Sequence, residues 1–500
     1  MIASVLAERA ATDPEGTCLV DAETGERVGY RDLHVDTLRV AAHLHSRGVR
    51  PGDTVATMLA HSVDTYRVWL GLARLGAVEV PIGTRHRGKM LEHVIADSGA
   101  RLLVVDLDRL PELRSVLESL PTGVAVVAPA DLVRGPAGRG IGALPADHDV
   151  SLVLYTSGTT GPAKGVLVPW GQIHATSTGA FPAGTLGSGK TLYAPFPPHH
   201  VGGRLFGCLG ILEGVSTVVR HTFSVSSFWP DVDRYGCTTV GLVSAMASML
   251  LGAPARSADG LHALEEVLMV PLVPEVGEFE RRFGVRVCTS FNMTEVSIPI
   301  VSDWSPHDWR SCGSVRTGPP GYELRVVDAD DVPVRPGAVG ELICRTEVPW
   351  TMNAGYLGRP EATAQAWRNG WFHTGDAFRY DEDGSYRFVD RAKDAIRRRG
   401  ENISSFEVER EVLDHPEVVA CAAIGVPAEL GEEEVKVFVV RQPGSTLTEA
   451  DIVAHVAAKA ASFMVPTHVE FLEELPVTEG TGRVRKAELR ERDRLGRAAG

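Results

Sequence analysis

Short apolar runs alternate with amphipathic helical stretches from residue 28 to about residue 240. The run Thr54–Ala60 has the composition of a buried strand, Val63–Leu75 carries apolar residues at helical spacing, and Ala77–Ile82 is a second strand-like run. Strands and helices that alternate at this spacing predict parallel sheets covered by helices. We therefore expect an α/β fold whose largest part consists of helix-covered sheets.

The pattern changes after residue 320. Tyr322–Asp328 and Gly340–Arg345 alternate apolar and polar residues and are separated by turn residues, which predicts an antiparallel β subdomain at about 320–390. After residue 395, a helix at Phe406–Asp414, two strands and a helix at Thr448–Ala461 predict a small α+β unit. A chain of 500 residues is too long for one compact core, which also favours two or more domains.

The charge balance limits the partners that this chain can bind. Fifty basic and sixty-four acidic side chains give a net charge of −14, which argues against nucleic acid and anionic membranes but allows a local pocket for phosphates. The seven cysteines lie far apart without a CxxC pair, as is typical of reduced thiols. The sequence shows neither a signal-peptide pattern nor a membrane-spanning run, so we expect a cytoplasmic protein.

The segment Thr156–Lys164 reads Thr-Ser-Gly-Thr-Thr-Gly-Pro-Ala-Lys and lies between two strand-like runs. Hydroxyl side chains and accessible glycine N–H groups form a cradle for anions, and Lys164 adds a mobile cation. Because Gly165 follows Lys164, the segment is not a Walker A loop. The segment predicts phosphate binding. A polar surface turn is the alternative, which the ordered combination of hydroxyls, glycines, proline and lysine disfavours.

Five motifs follow one another along the chain in the order typical of the adenylate-forming superfamily. This superfamily includes acyl-CoA synthetases, the adenylation domains of peptide synthetases, and firefly luciferase. The segments that resemble its motifs are Thr156–Lys164, Phe291–Glu295, Gly355–Glu361, Trp371–Asp376 and Asp390–Ile403. Within the superfamily, the run Gly400–Glu409 most resembles the carnitine/crotonobetaine-CoA ligase branch.

The resemblance implies a site for ATP or AMP with Mg²⁺. Glu295 would hold the Mg²⁺, Thr294 would hydrogen-bond a phosphate oxygen, and Asp376 would accept both ribose hydroxyls. Arg391 would add a donor to the ribose or a phosphate. The residues expected at the nucleotide are Thr156, Ser157, Gly158, Thr159, Thr160, Lys164, Phe291, Asn292, Thr294, Asp376 and Arg391. Those expected at the substrate pocket are His200, Met269, Val270 and Asn292.

The resemblance also implies a division of the chain. A large N-terminal domain would comprise residues 1–390, a hinge residues 391–394 with Lys393 as its pivot, and a small mobile α+β domain residues 395–500. Such enzymes rotate the small domain between an adenylating and a thioester-forming arrangement. Gly400 would lie on the face presented to CoA in the second arrangement. Arg397–Arg399 would either meet CoA phosphates or form a solvated basic strand.

Three positions depart from the pattern of this superfamily. Arg483 stands in place of the lysine that bridges the substrate carboxylate and the α-phosphate, so either Arg483 or Lys486 takes that catalytic role. Leu268–Pro271 replaces a Gly-Gly-Ala-like step, and its bulk predicts a small or unusual substrate. Asn292 replaces a glycine and either preserves a turn with positive φ or contacts the substrate.

The leading hypothesis is an ATP-dependent, AMP-forming acid:CoA ligase. It would convert a small acid to an acyl-AMP with release of pyrophosphate and transfer the acyl group to a thiol such as CoA. One alternative is an ATP-dependent diazotase of specialised metabolism that activates nitrite and nitrosates an aromatic amine, since the three departures fit a very small substrate. The other is a nucleotide-binding protein without turnover, against which Lys164, Glu295, Asp376 and Arg391 argue.

Overall fold

The structure is a computed structural model that describes residues 2–120, 123–138, 144–156, 163–182, 184–187, 189–306, 308–391, 396–398, 401–403, 405–427, 433–460, 464–478 and 484–498. Its helices are α1 (Ile2–Thr12), α2 (Tyr30–Ser46), α3 (Val63–Leu75), α4 (Gly88–Ser98), α5 (Leu110–Ser119), α6 (Pro129–Leu132), α7 (Trp170–Thr178), α8 (Gly202–Glu213), α9 (Val225–Tyr235), α10 (Ser244–Gly252), α11 (Val276–Phe283), α12 (Pro360–Ala366), α13 (Ser405–Leu413), α14 (Glu449–Ala457) and α15 (Lys486–Ala498), with a short 3-10 helix at Leu107–Arg109.

Its strands are β1 (Thr17–Asp21), β2 (Arg27–Gly29), β3 (Thr54–Met58), β4 (Val78–Pro81), β5 (Leu102–Val105), β6 (Ala125–Val127), β7 (Val150–Thr156), β8 (Lys164–Pro169), β9 (Thr191–Ala194), β10 (Ser216–Val219), β11 (Thr239–Val243), β12 (Glu266–Val270), β13 (Arg286–Cys288), β14 (Ser290–Met293), β15 (Ser297–Val301), β16 (Ser311–Val315), β17 (Tyr322–Val327), β18 (Val339–Thr346), β19 (Trp367–Arg368), β20 (Trp371–Tyr380), β21 (Tyr386–Arg391), β22 (Ile396–Arg398), β23 (Glu401–Ile403), β24 (Val418–Pro427), β25 (Glu433–Arg441) and β26 (His468–Leu472).

Two largely parallel sheets form the first part of the chain, as the alternating pattern predicts. One has six strands in the order β6-β5-β3-β4-β7-β8, and the other has seven in the order β13-β12-β11-β9-β10-β1-β2. Each ends in one antiparallel pair, β7–β8 and β1–β2, because a short connection returns the chain directly beside the preceding strand. The helix expected at Val63–Leu75 is α3, with the same bounds.

The largest apolar core joins the two parallel sheets. It combines residues of β7, β8, β1 and β9 with residues of α3, α7 and α8. At its centre, Trp69 of α3 stacks on Trp170 of α7 with ring centroids 4.9 Å apart. This shared core fixes the position of the β7–β8 hairpin relative to the seven-stranded sheet.

An antiparallel sheet of eight strands follows, with the order β14-β15-β16-β21-β20-β18-β17 and β19 paired to β20. The pairing of β17 with β18 and the hairpin β20–β21 confirm the antiparallel pattern expected after residue 320. The sheet also includes β14, β15 and β16, so the antiparallel region begins near residue 290. Phe291 of β14 packs edge-on against Phe378 of β20 at 4.8 Å between centroids.

The small C-terminal domain has an α+β structure with its own apolar cores. The strands β24, β25 and β26 form a three-stranded sheet, and β22 and β23 form a separate hairpin. Residues of α13 and α14 pack on this sheet in one cluster, and Leu489 of α15 belongs to a second. The helix expected to reach Ala461 ends earlier, at Ala457. Among the residues that the structure describes, no helix is both long and apolar enough to cross a bilayer.

Candidate active site

The phosphate-loop segment spans the turn of the β7–β8 hairpin. Thr156, the last residue of β7, pairs with Lys164, the first residue of β8. The loop therefore joins two antiparallel strands and is not followed by a helix, unlike a Walker A loop. Ser157, Gly158, Thr159 and Thr160 lie outside the described residues.

Lys164 and Glu295 meet at one tyrosine ring. The Lys164 ammonium lies 5.3 Å from the centroid of the Tyr356 ring, within the range of a cation–π interaction. The Tyr356 hydroxyl donates a hydrogen bond of 3.1 Å to the Glu295 carboxylate. Lys164 and Glu295 therefore contact the same tyrosine side chain, and their roles at a phosphate and a metal stay predictions.

The backbone around Glu295 is held by polar side chains. The Glu295 carbonyl accepts hydrogen bonds of 2.9 Å from both the backbone N–H and the side-chain amide of Asn353. The Thr294 carbonyl accepts one of 2.7 Å from the Gln172 side chain. These bonds hold the backbone on both sides of the Glu295 side chain. Glu295 is only 4% exposed. Sequence reasoning missed Asn353 and Gln172, since neither belongs to a motif.

Asp376 occupies a buried position in β20. Its backbone pairs in register with Arg391 of β21, and its N–H donates to the Thr374 hydroxyl at 3.1 Å. Asp376 is 3% exposed. The Arg391 side chain lies outside the described part. The strand pairing therefore brings the two expected ribose-site residues together at the level of the backbone.

Asn292 lies in β14 and has an exposed side chain. The backbone φ of Asn292 is not positive. Among the described non-glycine residues with a positive φ, the nearest along the chain is Ser297, at 64°. The interpretation that Asn292 preserves a turn with positive φ is therefore wrong. Its neighbour Phe291 is 8% exposed and packs into the antiparallel sheet.

His200 is half-buried just before α8, beside His199 at 4.2 Å between ring centroids. Burial, with a smaller contribution from His86, lowers the pKa of His200 to about 4. The ring is therefore neutral at pH 7. Its Nε2 is buried and has no hydrogen-bond partner among the described residues. The role of His200 in the substrate pocket stays a prediction.

A buried ion pair anchors the segment that carries these histidines. Arg204 of α8 donates to Glu79 of β4 at 2.8 Å, and their side chains are 1% and 0% exposed. The Arg204 Nε also donates to the Pro198 carbonyl at 3.1 Å. This bond fixes the chain immediately before His199. Burial raises the pKa of Glu79, and Arg204 partly offsets that effect.

Aromatic rings fill the face of the seven-stranded sheet near His200. A Cβ on Gly241 of β11 would lie 2.6 Å from both Phe196 and Phe206, so the two rings contact the bare backbone there. In the next strand, β12, Leu268 and Val270 border the same apolar cluster as Phe196. Large side chains therefore occupy the space that a glycine-rich step leaves open.

Met269 does not share the face of Val270. It is fully buried in the cluster of Leu242 and Phe279, on the opposite side of β12. Successive side chains of a strand point to opposite faces, so only one of the two neighbours can line a given pocket. The structure places Val270, and not Met269, against the cluster that Phe196 also borders.

The C-terminal site residues are only partly described. Lys486 forms an ion pair of 2.8 Å with Glu409 of α13 and hydrogen-bonds the Ser405 hydroxyl. Its side chain is 11% exposed. Both of these contacts of Lys486 lie within the small domain. Arg483, Lys393 and Gly400 lie outside the described residues.

Arg398 is structural. Its side chain is 6% exposed and pairs with Glu434 at 2.5 Å, and it also donates to the Val465 carbonyl at 3.0 Å. Of the arginines at 397–399, this one is therefore not a solvated surface residue. The side chains of Arg397 and Arg399 are outside the described part.

Comparison with known proteins assigns both parts of the chain. Residues 6–357 match the AMP-binding enzyme family, and residues 407–481 match the AMP-binding enzyme C-terminal domain. Sulfoacetate–CoA ligase of Cupriavidus necator is 31% identical and covers 95% of this chain and 94% of its own length. Crotonobetaine/carnitine–CoA ligase of Salmonella paratyphi A is 31% identical over 89% of this chain and 90% of its own. ATP-bound MatB from Rhodopseudomonas palustris superposes with a TM-score of 0.87 at 25% identity, covering 98% and 99% of the two chains.

Proposed function

The chain belongs to the AMP-binding enzyme family, whose curated relatives are AMP-forming acid:CoA ligases, and we propose that it activates a small carboxylic or sulfonated acid with ATP for transfer to CoA. In the first step, a carboxylate oxygen attacks the α-phosphorus and the bond to the β-phosphate breaks, which releases pyrophosphate. In the second step, the CoA thiolate attacks the acyl carbon and the acyl–oxygen bond breaks, which releases AMP.

The observation that carries this proposal is the arrangement of Lys164, Tyr356 and Glu295. A lysine at the base of a phosphate loop and a buried carboxylate on the same ring form a site for a metal–triphosphate complex. Mg²⁺ prefers carboxylate and phosphate oxygens, so Glu295 fits it. When bound there, Mg²⁺ would neutralise charge on the phosphate oxygens. Asp376, in β20 of the same antiparallel sheet, would accept the ribose hydroxyls.

The packing around Gly241 supports a small substrate. Phe196 and Phe206 contact the backbone of β11, and Leu268 and Val270 border the same cluster. A long acyl chain would need these side chains to move out of a close-packed core, which costs several kcal/mol. The similarity to ligases named for sulfoacetate and for crotonobetaine or carnitine agrees with a short, polar acid.

Arg483 is our choice for the group that neutralises the substrate carboxylate and the α-phosphate. Lys486 is engaged by Glu409 and Ser405, so its use would first break a partly buried ion pair. Arg483 has a permanent charge and can bind two oxygens at once. His200, whose ring is neutral at pH 7, would also contact the acid.

The test measures AMP and pyrophosphate from purified protein with ATP and Mg²⁺. Sulfoacetate, crotonobetaine, carnitine and a long-chain fatty acid are compared, each with and without CoA, and thioesters are identified by mass spectrometry. We expect AMP and a thioester with a short polar acid only. The variant Asp376→Asn should lose this activity, whereas Asp108→Asn, at an exposed position, should retain it.

Two other outcomes would overturn the proposal. AMP release that requires nitrite and an aromatic amine, with none from any acid, would identify a diazotase. ATP binding without AMP release under any of these conditions would identify a nucleotide-binding protein without turnover.

A further inference from the structure

One helix contacts both ends of the phosphate loop. His93 and Asp97 lie four residues apart on α4, one helical turn, and so share a face. The His93 Nε2–H donates to the carbonyl of Ala163 at 2.9 Å. The Tyr155 hydroxyl donates to the Asp97 carboxylate at 2.8 Å. Tyr155 immediately precedes Thr156, and Ala163 immediately precedes Lys164, so the two bonds lie on either side of the loop.

The orientation of these two side chains is fixed by their surroundings. Leu91, Val94 and Ile95 of α4 are buried in the core of the six-stranded sheet, which prevents the helix from turning. Burial, together with the Asp97 carboxylate, raises the pKa of Tyr155, so its hydroxyl remains a donor. The His93 ring also packs edge-on against the Tyr155 ring at 6.0 Å.

A third contact links the same carboxylate to the motif of Tyr356. Arg359 donates to Asp97 at 2.6 Å, and the Asp97 side chain is only 14% exposed. In addition, the Leu357 N–H donates to the Gly165 carbonyl at 2.8 Å. The segment that places Tyr356 between Lys164 and Glu295 is therefore attached both to the strand β8 and to α4.

We propose that His93 and Asp97 are positioning residues that hold the two ends of the phosphate loop in the register required to bind the triphosphate of ATP. This inference rests on the proposed adenylating function. Fixing both ends in advance reduces the conformational entropy that the chain loses when ATP binds, so the two bonds increase affinity without touching the nucleotide. A net hydrogen bond of ordinary strength corresponds to about a three- to tenfold change in the dissociation constant.

The test uses isothermal titration of the full-length protein with Mg²⁺ and ATP, without an acid, so that no chemistry follows binding. His93→Leu removes the donor and keeps the bulk, and Tyr155→Phe removes the bond at the other end. We expect each to raise the Kd for ATP about three- to tenfold. His93→Gln retains an N–H donor and should bind within about twofold of the wild type. His45→Leu, at an exposed position of α2, is the matched control.

The melting temperature of each variant without ATP shows whether the substitution destabilises the fold or only weakens ATP binding. A purely structural role would lower the melting temperature and leave the Kd of the folded protein unchanged. The proposal is overturned if either His93→Leu or Tyr155→Phe binds ATP as tightly as the wild type, or if His93→Gln is as weak as His93→Leu. If His93→Leu does not fold, Tyr155→Phe decides. A wild-type protein that binds no ATP would instead refute the proposed function.

Discussion

Removal of Arg204 should destabilise the large domain severely. In the structure, the buried Glu79 carboxylate contacts two side chains, Arg204 and Thr57. In Arg204→Met the carboxylate stays buried and keeps only the hydrogen bond of 2.6 Å from the Thr57 hydroxyl. The carbonyls of Pro198 and Thr65, which accept from Arg204 at 3.1 and 3.2 Å, also lose a donor. An uncompensated buried charge costs about 3–5 kcal/mol, which is a large fraction of the stability of an ordinary domain.

Urea unfolding followed by circular dichroism measures this change in the free energy of unfolding from the first transition. Arg114→Met, on the exposed side of α5, is the matched control and should change the free energy of unfolding by less than about 0.5 kcal/mol. The double variant Glu79→Leu/Arg204→Met removes both charges, so it should be more stable than Arg204→Met alone.

The loss of stability in Arg204→Met should become smaller as the pH falls. Burial raises the pKa of Glu79 in the folded protein, and the loss of Arg204 removes the opposing effect. A carboxyl with a raised pKa in the folded state loses stability as the pH rises above its unfolded value of about 4.3. The deficit of Arg204→Met should therefore shrink on acidification toward pH 4. A deficit below about 1 kcal/mol at neutral pH, or a double variant no more stable than the single one, would refute this reasoning.

Three further predictions concern the pocket and the small domain. Phe196→Ala should increase kcat/KM for a longer acid relative to the preferred acid by about tenfold, because it frees space on β11. An unchanged ratio in the AMP-release assay would exclude Phe196 from the pocket. Arg483→Ala should slow pyrophosphate release about 100-fold or more, whereas Lys486→Ala should mainly lower the melting temperature of the small domain; the reverse result would assign the role to Lys486. Because the pKa of His200 is about 4 in the folded protein and about 6.5 when unfolded, the unfolded chain takes up the proton first, and stability falls as the pH drops through that window. Between these pH values, the free energy of unfolding in urea should fall by about 2 kcal/mol less for His200→Asn than for the wild type. An equal fall in both proteins would contradict the burial of this ring.

The order of elements could be predicted from the sequence because local patterns determine it. The helix Val63–Leu75 and the strands on either side of the phosphate loop are as expected, since hydrophobic periodicity and short apolar runs specify them. The shared contact of Lys164 and Glu295 with Tyr356 depends on tertiary packing and was not predictable from the motifs.

The remaining site features depend on tertiary contacts that no local pattern encodes. His93 and Asp97 occupy ordinary positions of an amphipathic helix, and only the packing of α4 shows that they reach the loop. The motif alone places Met269 and Val270 together in the pocket, but side chains alternate along a strand, so only one of them can lie on that face. The sequence leaves Arg398 either at CoA phosphates or on a solvated strand, and only the structure shows its ion pair with Glu434.

The boundary between the two domains contains an aromatic residue that responds to charge. The guanidinium of Arg410, in α13 of the small domain, lies 4.9 Å from the centroid of the Trp309 ring, which belongs to the large domain. A movement of the small domain that increased this distance would change the charge near the Trp309 ring. The emission of Trp309 would then report such a movement in unlabelled protein.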